Sequence, residues 1–123
     1  MKWTPKQIEK YNRQKYISFL EKITRNLFKM FRDKNITQNE FLNRFYNLKD
    51  RLNRLPKVTL TSDYHNEMQN YIESLYRESK NGFDLNSVRE INMTNLNRIQ
   101  KLKNRASYRR DKHKNSIDRE IWD

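Results

Sequence analysis

The chain has no cysteine among its 123 residues, which removes disulfide scaffolds, thiolate metal sites and cysteine nucleophiles together. It has one glycine and two prolines. Strand-rich folds and tight turns draw on both residue types, so their scarcity argues for helices with few interruptions. A single glycine also excludes a glycine-rich phosphate loop. No apolar run approaches the roughly 18 residues that span a bilayer, so no membrane partner is expected. The opening stretch, MKWTPKQIEKYNRQK, lacks the apolar core of a signal peptide, and a cytoplasmic location is the expectation. Glycine and alanine are scarce while asparagine, lysine and isoleucine abound, a usage that suits an AT-rich genome such as a low-GC bacterium or its phages.

Hydrophobic residues supply 34% of the chain, and charged residues an equal share. A core built from so little must be thin, with long basic side chains covering its edges. Aromatics reach 12% and recur at regular spacing, which separates this composition from that of a disordered chain. The length suits one domain.

Charge is abundant and uneven. Residues 1–60 carry a net +10, residues 61–93 a net −3, and residues 94–123 a net +5, within a total of +12. The acidic middle is expected to lie against its basic neighbours and relieve their mutual repulsion.

Helix signals punctuate the chain. Thr4-Pro5-Lys6-Gln7 combines an N-cap, a proline at the first helical position and a glutamine able to close a capping box, with Trp3 and Ile8 at staple spacing. Tyr16, Leu20, Ile23, Leu27 and Met30/Phe31 then form one apolar stripe that ends at Asp33-Lys34-Asn35. Thr37-Gln38-Asn39-Glu40 repeats the capping box, and Phe41, Phe45, Leu48, Leu52 and Leu55 form a second stripe, stopped by Pro56. A third helix starts within Thr61–Asp63, turns Tyr64, Met68, Tyr71/Ile72, Leu75 and Tyr76 inward, and ends at Asn81-Gly82.

Asp84 is placed to cap the fourth helix. Val88, Ile91, Ile99, Leu102 and Ala106 stay in phase, predicting one long basic helix from about Leu85 to about His113. Met93 and Leu96 fall off that stripe, so a break near Asn92–Asn95 is the alternative. The expected fold is all-α, a small bundle of about four helices with a long basic C-terminal helix. Residues 1–106 form the bundle, and 107–123 a basic extension and tail. The first two stripes equally suit packing in a homodimer.

Little in the chain suggests catalysis. His65 and His113 stand in no metal-binding spacing, and no cofactor is implied. His65 reads as a solvated residue in the first turn of the third helix, or as a general base between Asp63 and Glu67.

The basic stripes carry more. Lys22, Arg25, Lys29 and Arg32 recur at steps of three, four and three, on the face opposite the core stripe. Like charges at that spacing repel, and a purely structural surface would intersperse glutamate. The pattern predicts a phosphate-contacting ridge. Arg98, Lys101, Arg105 and Lys112 share a face of the fourth helix with Tyr108, beside Arg109, while Lys103, Arg110 and Lys114 lie on its other sides. Cations around a helix with few apolar residues suit a nucleic-acid groove. Tyr108 is placed to stack on a base and Asn104 to read a base edge. The expected function is non-enzymatic binding of DNA or RNA. The alternative is a protein-interaction module or inhibitor, of phage or mobile-element origin, that engages an acidic or nucleic-acid-handling host protein.

Overall fold

Thr4 and Thr37 start helices by the same local chemistry in the computed structural model of the protein, which describes residues 3–104. The Gln7 N–H donates to Thr4 Oγ1 (3.2 Å), while the Thr4 N–H donates to Gln7 Oε1 (2.9 Å). The reciprocal pair recurs between Thr37 and Glu40, at 3.1 and 3.0 Å. The Thr37 backbone N–H favours the charged form of Glu40 and holds its carboxyl below its ordinary value. These caps open helix α1 (Pro5–Arg32) and helix α2 (Gln38–Asn53). Ser62, inside the expected window, caps helix α3 (Asp63–Ser79) by accepting from the N–H groups of Tyr64 and His65. Gly82 follows α3 with φ of 66°, a conformation that favours glycine. Helix α4 (Leu85–Lys101) then passes into a 3-10 turn over Leu102–Asn104.

Among the described residues there are four α-helices and no strand, so the all-α bundle is as expected. α1 is the central element and packs against each of the other three helices. Its predicted stripe, from Tyr16 to Phe31, is buried throughout. Phe31 and Phe41 meet at 4.7 Å between ring centroids, and Phe41 stacks on Phe83 at 5.7 Å. Each such ring removed from water contributes about 1.5–3 kcal/mol.

α4 is unbroken through residues 92–95, as the reading of one continuous helix expects. It departs from its predicted pattern in two ways. Its inward face is Leu85, Asn92, Leu96 and Ile99, while Ile91 is 57% exposed. The apolar spacing misled because a polar residue holds a core position. The Tyr71 hydroxyl donates to Asn92 Oδ1 (2.7 Å), and Asn92 Nδ2 donates to the Val88 carbonyl (2.8 Å), so the buried amide is satisfied. Asp84 occupies the N-cap but its side chain caps nothing. Instead Gln38 of α2 reaches across, accepting from the Leu85 N–H (2.9 Å) and donating to the Phe83 carbonyl (2.9 Å). The continuation of α4 to His113, the alignment of Ala106 and the extension over 107–123 lie outside the described residues.

His65 is also not solvated. It is fully buried, with Nε2 3.5 Å from the Glu21 carboxylate of α1.

Candidate nucleic-acid interface

The outer face of α1 is set by its own periodicity. Counted along the helix, Tyr11, Lys15, Ser18, Lys22, Arg25, Lys29 and Arg32 fall at alternating steps of four and three, and all seven are exposed. α2 borders this face on one side and α4 on the other, and α3 meets α1 through Tyr16 and Glu21. From Lys15 to Arg32 the ridge extends about 25 Å at the helical rise.

The predicted set Lys22, Arg25, Lys29 and Arg32 therefore stands together on one straight edge. Among the described residues, none of the four has a carboxylate within ion-pair distance. Of the nearby acids, Asp33 accepts from the Asn35 N–H (2.9 Å), and the others are engaged away from the ridge. Glu9 pairs with Arg13 (2.8 Å), Asp50 with Arg54 (2.6 Å), Glu73 with the buried Lys49 (3.1 Å), and Glu21 faces His65. Three like-charge neighbour pairs on the ridge cost on the order of 1 kcal/mol together at low salt, which an anionic ligand would relieve.

Two grooves flank the ridge. The groove between α1 and α4, about 340 Å³, has Arg25, Lys29 and Arg32 along one wall and Asn97 and Gln100 along the other. Its floor is Phe28, Leu96 and Ile99. The groove between α1 and α2, about 330 Å³, places Lys15, Lys22 and Arg51 around Phe19. Cations lie over the half-buried rings: Arg32 over Phe28 at 5.5 Å, Arg51 over Phe19 at 5.0 Å and Lys22 over Phe19 at 5.8 Å. The stems thus pack on aromatic surface while the charged heads reach water. The described residues lining both grooves include no acidic side chain.

The fourth-helix set fares differently. Arg98 lies toward α3, 4.0 Å from Glu67, and lines a groove that also holds Glu78. It belongs to the acidic side of the bundle rather than to a free basic face. Lys101 is exposed at the end of α4, and Asn104 closes the 3-10 turn. The Asn104 side chain and the residues Arg105, Tyr108, Arg109, Arg110 and Lys112 lie outside the described residues. Lys15 and Arg51 were absent from the sequence-derived set. Lys15 was legible, because it continues the ridge one heptad before Lys22. Arg51 joins only through the packing of α2 on α1.

No helix among the described residues is long and apolar enough to cross a membrane. No protein-family model, curated protein or solved structure matches the chain.

Proposed function

We propose that this protein is a non-enzymatic nucleic-acid-binding protein whose basic α1 face contacts the phosphate backbone. One observation carries the reading: Lys22, Arg25, Lys29 and Arg32 form a straight exposed edge without carboxylate partners among the described residues, bordered by two grooves whose charged lining is cationic. Phosphate contacts of this kind supply affinity without sequence preference. With Lys15 and Arg51 the face offers six cations.

Electrophoretic mobility assays at low salt against duplex DNA, single-stranded DNA and RNA test this directly. Lys22→Glu together with Lys29→Glu should abolish the shift, while Lys6→Glu, off the ridge, should leave it within a few-fold of wild type. Equal losses in both variants, or no shift by the wild-type protein, would reject the assignment.

A second reading is an interaction module of phage or mobile-element origin with an acidic protein partner. The exposed Ile91, at 57%, favours it, since it stands on the α3–α4 side among Asn70, Asn95 and Arg98 rather than on the ridge. Capture of an acidic protein that persists after nuclease treatment and is lost in Ile91→Ser would favour this reading over the first.

A further inference from the structure

The N-terminal end of the α1 face carries aromatic rings rather than charge. Trp3 and Tyr11 are 49% and 47% exposed, and their rings meet edge to face with centroids 5.2 Å apart. Trp3 sits before the N-cap, where a staple contact with Ile8 needs only an apolar side chain. A staple does not explain why an indole and a phenol are paired there with half of their surface in water. Tyr11 lies on the same exposed line as the cations, and Lys15 Nζ is 5.8 Å from the centre of its ring. One helical turn, about 5.4 Å, thus separates the last ring from the first ridge charge.

We propose that Trp3 and Tyr11 form a base-stacking platform, so that the preferred ligand of this face is an unpaired strand of DNA or RNA. This rests on the nucleic-acid reading above and narrows it to a substrate class. Paired bases are covered by their neighbours in the duplex and present only edges, whereas unpaired bases present faces to aromatic rings. A row of cations with rings at its end is the arrangement that proteins use on single strands: phosphates follow the charges and bases cover the rings. A strand laid from Arg32 toward Lys15 delivers its next bases to Tyr11 and Trp3.

The test is fluorescence anisotropy at low salt with labelled oligo(dT) and oligo(U) of about 20 nucleotides, long enough to cover such a site, and with a blunt duplex of matching length. Trp3→Ala with Tyr11→Ala should raise Kd for the single strands by about 5- to 100-fold and change Kd for the duplex by less than about 2-fold. Trp3→Phe with Tyr11→Phe should keep single-strand binding, because the π faces remain. Trp3→Leu with Tyr11→Leu should lose it while preserving the apolar staple. Circular dichroism and thermal melting establish that each variant is folded. The proposal is overturned if the leucine variant binds single strands like wild type, or if single strands and duplex weaken equally. In either case the ridge reading survives. If wild type binds none of the three probes at low salt, both readings fall.

Discussion

Arg89 fastens α4 to the C-terminal end of the ridge helix, and replacing it should cost more than a half-buried surface residue usually does. Its Nη1 donates to the carbonyls of Phe31 (2.8 Å) and Asp33 (2.7 Å), with Met30 at the limit of contact (3.5 Å). Asn86 Oδ1 accepts from Nε at 3.1 Å and fixes the guanidinium plane. These carbonyls belong to the helix end, which lacks intrahelical donors and carries the negative end of the dipole. A hydrogen bond from a charged donor nets about 1.5–3 kcal/mol, and a cation at a helix C-terminus adds about 0.3–1. Counting the two short bonds at the low end, for partial exposure, and subtracting about 1 kcal/mol for ordering the arginine leaves about 2–3 kcal/mol. Arg89→Met keeps the aliphatic stem and removes the donors. In urea, with a slope of about 1–3 kcal/mol per molar, the midpoint should fall by roughly 1–2 M. Arg89→Lys should recover about half, since an ammonium restores the charge but not the planar fork. A loss below about 0.5 kcal/mol in Arg89→Met, or a lysine variant as stable as wild type, would refute this account of the helix junction.

Further expectations follow from buried polar groups. Burial pushes the Tyr71 hydroxyl well above its ordinary value of 10.0, and burial followed by Glu73 raises Tyr16. The unfolded chain therefore releases these protons first, so stability should hold below about pH 10 and fall as pH rises beyond it, by up to about 1.4 kcal/mol per pH unit for each group. Chemical denaturation from pH 8 to 11 should show a shallower decline in Tyr71→Phe, and an unchanged decline would count against the burial argument. Ser62→Ala should lower stability by about 1–2 kcal/mol in thermal melts, because its fully buried hydroxyl is the cap of α3. A change within about 0.3 kcal/mol would show that another group takes over the cap.

The parts of the fold written in local sequence were legible, and the parts written in tertiary contacts were not. Thr4-x-x-Gln7 and Thr37-x-x-Glu40 satisfy their own helix ends within four residues, so pattern alone locates α1 and α2. The ridge was legible for the same reason, since helix periodicity places Lys22, Arg25, Lys29 and Arg32 on one side whatever packs behind them. Asn92 was not, because its burial depends on Tyr71, 21 residues away. Nor was the cap of α4, which comes from Gln38, 47 residues before Leu85. The burial of His65 was not legible either, because a place in the first helical turn near Asp63 and Glu67 suits a solvated side chain, whereas its depth depends on how α3 meets Glu21 of α1. Arg98 looked like a member of a basic face until α3 brought Glu67 beside it.

The central claim is that the α1 ridge neutralises phosphates, and its salt dependence tests that most directly. If Lys15, Lys22, Arg25, Lys29, Arg32 and Arg51 engage a duplex, log affinity should fall against log salt with a slope of about −5, or about −4 on a single strand. Removing two charges, as in Lys22→Gln with Lys29→Gln, should make the slope shallower by about 2 on duplex DNA. A variant slope equal to that of wild type, or a wild-type affinity that barely responds to salt, would contradict the account.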